Sequence, residues 1–245
     1  MLIASPPTGA DLELLLSKYA HRYPEKVRIP VIGDGGEELI LPALIANPTG
    51  ACKLTAGEQV NPAWEKVCGA TVRGQGLPGN ISELLVADCL IWPNVLEWGS
   101  WLTRWPGLAS DVGDAILRKI GAYGVKLEEP YQGETPPDSV INILVSKPKA
   151  TWRRAKMRNL QMVIVLEPPS ASQWQMHQDA LEKGEGVWGE IREFVKSRIV
   201  AFVDSDGAPL ETSSIIERYP GVALPIGQQV NRLAGSVRQV ELGEW

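Results

Sequence analysis

Gly74-Gln75-Gly76-Leu77-Pro78-Gly79 carries the glycine spacing of a dinucleotide-binding turn. The chemistry it would serve is a pyrophosphate held by backbone N–H groups at a helix N-terminus. Its surroundings do not supply the rest of such a site. No clean buried strand leads in, Pro78 stiffens the turn, and no strand ending in an acid follows at the required distance. The segment reads as a loop between helices, with a nucleotide-binding enzyme as the alternative. Asp204-Ser205-Asp206-Gly207 opens like a calcium loop, but the twelfth position, where a bidentate Glu is needed, is Ile215. It reads as an Asp/Gly turn. His21 and His177 stand in opposite halves, each with one acid nearby, Glu25 and Asp179. One His and one carboxylate fall short of a zinc site. No Walker A, G-x-S-x-G or H-E-x-x-H pattern occurs. The expectation is a protein without catalysis, cofactor or metal.

One charge run remains. Lys147, Lys149, Arg153, Arg154, Lys156 and Arg158 surround Trp152. The run is either a solvated arm or a contact arm for an acidic partner, or for nucleic acid through phosphates and stacking. Net charge of −5 favours a protein partner over nucleic acid.

These residues must be positioned by secondary structure, and the apolar pattern places it. A short helix opens at Asp11. Runs at Val27–Ile32 and Leu39–Ile45 flank Gly33-Asp34-Gly35-Gly36, a hairpin signal. Residues 56–72 read as helical, and a further helix runs from Ser82 towards Pro93. Two more follow, one bearing Trp98, Trp101 and Trp105, the other from Leu108 to Ile120 and closed by Gly121. Lys126–Asp138, with three prolines, a Gly and several acids, reads as a linker. Strands at Val140–Val145 and Met162–Leu166 come next. A helix capped by Ser170 runs to about Lys183, and another spans Val187–Phe202. The last two begin near Leu210 and Val222, and Gly235 closes the chain of helices. Strands first and helices after, twice over, predict an α+β fold of two tandem small domains. Each would be a short antiparallel hairpin or sheet followed by a helical bundle. The boundaries are residues 1–125, the linker 126–138, and residues 139–245.

The halves also share residues. Leu102-Thr103-Arg104-Trp105-Pro106-Gly107-Leu108-Ala109 returns as Ile216-Glu217-Arg218-Tyr219-Pro220-Gly221-Val222-Ala223. In the same register Gly113 meets Gly227, Arg118 meets Arg232, Gly121 meets Gly235, and upstream Ala87 meets Ala201. The period, about 114 residues, exceeds the roughly 20–50 residues of solenoid repeats and indicates a duplicated domain. The register predicts the same three-helix unit over 82–122 and 196–236. In both copies proline stops one helix and glycine allows the turn into the next. Gly inside the last helix of each copy predicts close helix–helix approach. Trp98, Trp101 and Trp105 share a helix face and meet Thr212, Ile215 and Tyr219. Position 101/215 reads as core and 105/219 as a lid on the turn, leaving Trp98 free for another use. Nine tryptophans against two phenylalanines point the same way, since Trp suits surfaces that are part apolar and part wet.

With 44% apolar and 22% charged residues, the composition is that of an ordinary globular protein. Cys52, Cys68 and Cys89 form no C-x-x-C, which suggests reduced thiols in a cytosolic compartment. No signal peptide or membrane span is expected.

The order of elements resembles the tail assembly chaperone-like proteins of contractile-tailed bacteriophages and related prophages. The resemblance rests on hairpin strands ending Ile45–Pro48 and Leu166–Pro169, and on the small-apolar strips Leu85–Trp92 and Ile199–Asp204. It rests too on the Trp/Tyr-Pro-Gly helical pair closed by Gly121 or Gly235. It covers residues 39–122 loosely and 162–236 better. The usual member is a single domain, whereas two are fused here. The resemblance implies a non-enzymatic role in tail morphogenesis through contacts with tape-measure, tube or baseplate proteins, in the host cytoplasm. A permanent virion component, a baseplate, tail or connector protein, is the alternative, and a homo-oligomer is compatible with either. The contact residues expected from composition and spacing are Trp98, Trp152, Trp188, Lys147, Lys149, Arg153, Arg154, Lys156 and Arg158.

Overall fold

The computed structural model describes residues 6–52, 57–72, 80–122, 125–127, 140–147, 158–183, 186–204 and 206–235, with side chains outside the description at 72, 125–127, 140–147 and 158–161. After helix α1 (Gly9–Lys18), strands β1 (Glu25–Ile32) and β2 (Glu38–Ile45) form the expected antiparallel hairpin, Glu25 facing Ile45 and Ile32 facing Glu38. Helices α2 (Pro62–Val72) and α3 (Ile81–Cys89) follow, then strand β3 (Leu90–Trp92) and helices α4 (Val95–Arg104) and α5 (Leu108–Lys119). The second half repeats this order. A short strand β4 (Val125–Leu127) precedes the hairpin β5 (Val140–Lys147) and β6 (Arg158–Leu166). Then come α6 (Ala171–Lys183), α7 (Val187–Arg198), strand β7 (Ile199–Asp204), α8 (Thr212–Arg218) and α9 (Ala223–Leu233), with one 3-10 turn (Pro220–Val222) between the last two. The fold is α+β, two tandem copies of one unit, with sheet orders β1-β2-β3 and β4-β5-β6-β7.

Two expected helices are shorter than the sequence suggests. The helix expected to reach Pro93 stops at Cys89, and the one expected to reach Phe202 stops at Arg198. In each case the chain turns extended and joins its hairpin as a third strand. The two junctions are alike. Ala46 N–H donates to Cys89 C=O at 2.8 Å, and Glu167 N–H donates to Arg198 C=O at 2.9 Å. The pairing shifts register between Leu44 and Ile45 and again between Val165 and Leu166. Both hairpins therefore needed a partner from beyond the following helices, because unpaired N–H and C=O groups on a buried strand are costly.

The repeated unit is thus helix–strand–helix–helix rather than three helices. The gap-free register also fails upstream of the Pro-Gly block. Cys89 stands where Arg198 stands, so Ala87 does not face the place of Ala201. The extra residues of the second copy form the Asp204–Pro209 turn, where Asp204 Oδ1 accepts from Asp206 N at 3.0 Å and Ala208 N at 2.9 Å. Downstream the register holds. The residue before each proline has nearly the same backbone, φ −129° and ψ 82° at Trp105, φ −127° and ψ 66° at Tyr219. Gly121 and Gly235 close the last helices at φ 81° and 80°, a left-handed conformation suited to glycine.

Of the expected linker, Lys126 and Leu127 belong to β4 and pair with Ile143 and Asn142 of β5. The first repeat has its own core between hairpin and helices, with Leu41, Ile45, Val86, Trp101, Val112 and Ile116 buried. The other core is continuous across both repeats. Trp64, Cys68, Leu85, Leu117 and Ile120 of the first half pack with Trp188, Ile191, Tyr219, Leu224 and Ile226 of the second. At its centre the Trp64 and Trp188 rings meet edge-on, 5.2 Å between centroids. Such a pair contributes about 0.5–1.5 kcal/mol beyond the area it buries. Gly113 fulfils the expected close approach, since a Cβ there would lie 2.5 Å from Ser82 Cβ on α3.

Candidate functional site

Helix α4 starts at Asn94, whose Oδ1 accepts from Glu97 N at 3.0 Å and so caps the first turn. One face of the helix lies on the hairpin. Trp101 is buried there, with Trp92 and Trp98 edge-on to it at 6.2 and 6.3 Å. Trp105 donates its indole N–H to Ile32 C=O at 2.8 Å, and the Arg104 guanidinium lies 4.8 Å from that ring while pairing with Asp34 at 2.7 Å. Trp92, Trp98, Leu102 and Trp105 are only half-buried. In the first turn of the same helix Val95 and Leu96 stand out into solvent, 85% and 88% exposed. Helix α4 thus carries half-buried tryptophans toward the hairpin and exposed apolar residues at its start.

Trp98 is half-buried, packed against the hairpin core with its ring edge-on to Trp101. Trp188 does not reach the surface. Its ring is 1% exposed and fills the core between repeats, and its backbone N–H at the start of α7 donates to Glu65 Oε2 at 2.8 Å. The expectation of a partner-binding Trp188 is corrected accordingly: α2 and α7 bury the ring between the two halves of the same chain. In the basic run, Lys147 ends β5 and Arg158 begins β6, and the two face each other across the hairpin. Lys149, Trp152, Arg153, Arg154 and Lys156 lie outside the described residues, as does Gly74–Gly79. The structure brings Trp98 and Trp92 together on the ring of Trp101.

The titratable groups that sequence reading singled out are engaged structurally. His21 meets Glu58 at 3.2 Å rather than Glu25. His177 is buried, stacks on Phe194 at 3.8 Å and meets Glu190 at 3.2 Å, while Asp179 bonds Gln175. Burial holds the His177 imidazole below its ordinary range against the pull of Glu190. Among the described residues no three His, Cys, Asp or Glu side chains gather as metal ligands.

Sequence reading missed a buried polar node at the foot of the hairpin. Asp88 accepts from Thr49 Oγ1 at 2.6 Å, from Thr49 N at 2.7 Å and from Arg22 at 3.2 Å. Arg22 also donates to Asn47 C=O at 2.8 Å. Lys119 reaches Asn47 Oδ1, and Asn47 Nδ2 donates to Cys52 Sγ at 3.1 Å and to Arg218 C=O at 3.2 Å. Burial lowers Lys119 to about 8, opposed by Glu25. Burial also raises all three thiols, Cys89 and Cys68 furthest, so none is a ready thiolate nucleophile. The node ties hairpin, α3, α5 and the second repeat together through satisfied hydrogen bonds. Its members are far apart in sequence, and no local pattern marks them.

Comparison of the chain with family models, curated proteins and solved structures returns no match. Among the described residues no helix is long and apolar enough to cross a membrane. The site's own geometry is what bears on function.

Proposed function

We propose that this chain is a non-catalytic tail-morphogenesis protein of a phage or prophage, an assembly chaperone or adaptor that works by protein–protein contact. The carrying observation is the pair of exposed apolar residues, Val95 and Leu96, that open α4, the helix that also bears half-buried Trp98 and Trp105. Burying a Val or Leu side chain contributes about 1.5–3 kcal/mol. Interface hot spots favour Trp held in a partly apolar setting. The link to tails comes from the resemblance in element order and in the Trp/Tyr-Pro-Gly turn. The engaged histidines and raised thiols favour binding over catalysis as the reading of the described residues.

The test has two parts. Trp98→Ala and Leu96→Asp should each weaken co-purification of the tape-measure protein from infected lysate, by about 30-fold or more for the tryptophan, corresponding to a hot spot of about 2 kcal/mol. Far-UV circular dichroism should be unchanged. Mass spectrometry of purified particles decides between roles. Stoichiometric presence would replace the chaperone reading with a virion component, and absence from both particles and tape-measure complexes would end both.

A further inference from the structure

Inside the chain, the Pro-Gly turn of the second repeat docks on the end of the first repeat's last helix. Gly221 N–H donates to Ile120 C=O at 2.8 Å, and a Cβ on Gly221 would lie 2.3 Å from Ala122 N. The contact runs one way. A two-fold relation between repeats would bring Gly107 against Ala234, yet among the described residues nothing lies within 4 Å of where a Gly107 Cβ would be. A one-way contact between like units leaves one face of each kind open, and such contacts build rings or filaments.

Among the described residues both faces are uncovered and keep the geometry of the occupied pair. Leu108 N–H bonds Trp105 C=O at 3.0 Å, as Val222 bonds Tyr219 at 3.0 Å. Gly107 has φ −73° and ψ −9°, ordinary for any residue, so nothing among the described residues requires glycine there. Pro106 and Gly107 are exposed where Pro220 and Gly221 are buried. At the other end, Ala234 N–H bonds Val230 C=O and Gly235 N–H bonds Arg232 C=O, matching Ile120 to Ile116 and Gly121 to Arg118.

We propose that the chain self-associates head to tail, the Trp105-Pro106-Gly107 turn of one copy receiving the Ala234–Gly235 helix end of a second copy. The proposal stands on the internal contact and is independent of the tail-assembly reading. It is tested by sedimentation velocity of the wild type and of Gly107→Ala across a concentration series. Among the described residues of one chain a side chain at 107 meets open space, but in the proposed contact it would meet the second copy's helix end as a side chain on Gly221 would meet Ala122. The expected result is a wild type that gains mass with concentration beyond a dimer, and a Gly107→Ala variant that stays monomeric with an unchanged circular dichroism spectrum. A wild type that stays monomeric, growth that stops at a dimer, or a Gly107→Ala variant that associates like the wild type would each overturn the proposal.

Discussion

Trp105-Pro106-Gly107 and Tyr219-Pro220-Gly221 share a backbone and differ in what surrounds them. The second turn is sealed against Ile120 and Ala122, while the first faces solvent. The helices leading into them diverge in the same sense. In the second copy Pro209 bridges to Val203, and Leu210 N–H bonds Phe202 C=O at 2.7 Å, so Leu210 packs on the core. In the first copy the corresponding stretch is an added helical turn, and Leu96, the counterpart of Leu210, stands in solvent. A duplicated unit has thus turned one copy inward as an internal interface and left the other with an apolar face outward. The same motif can be core or surface, and its neighbours decide which.

The sharpest way to break this comparison is at the tryptophans. Trp188→Ala should cost about 3–5 kcal/mol, because it empties a fully packed site opposite Trp64. Trp98→Ala, on the half-buried face, should cost about 1 kcal/mol. Urea unfolding of both variants checks this, and equal losses would mean that the outward face is also core.

Lys119 allows a second test, since its counterpart in the second copy is Leu233, packed against the core. The folded-state value of about 8 lies below the ordinary 10.5. Between those values the unfolded chain binds the extra proton, so stability rises with pH across that window and the group is destabilising below it. Relative to Lys119→Leu, the wild type should gain about 3 kcal/mol from pH 7 to pH 10.5. Parallel pH profiles of the two proteins would show that Lys119 is charged in the fold at no cost.

The glycines give the third and smallest effect. Gly221→Ala places a methyl against backbone atoms of Ala122 that cannot move aside, and should cost about 1–3 kcal/mol. Gly107→Ala meets open space in an ordinary conformation and should lie within about 0.5 kcal/mol of wild type. Thermal unfolding of dilute protein, where any second copy is absent, separates the two.

Much of this was legible in the residues themselves. Hairpin, helix starts, the Pro-Gly stops and the closing glycines depend on backbone preferences acting within a few positions, and they lie close to where the pattern puts them. Ser170 is an example: its Oγ accepts from Gln173 N at 3.3 Å while Gln173 Oε1 accepts from Ser170 N at 2.9 Å, a reciprocal cap spelled out locally. The duplication too was in the sequence, because it is a property of order alone. Tertiary structure decided the rest. Leu90–Trp92 and Ile199–Asp204 continue an apolar run that suits helix or strand, and only the unpaired edge of a distant hairpin makes them strands. Trp98 and Trp188 carry the same ring, and burial depends on which element arrives opposite. Pairing and burial are contacts between residues far apart in the chain, and they exist only once the chain has folded.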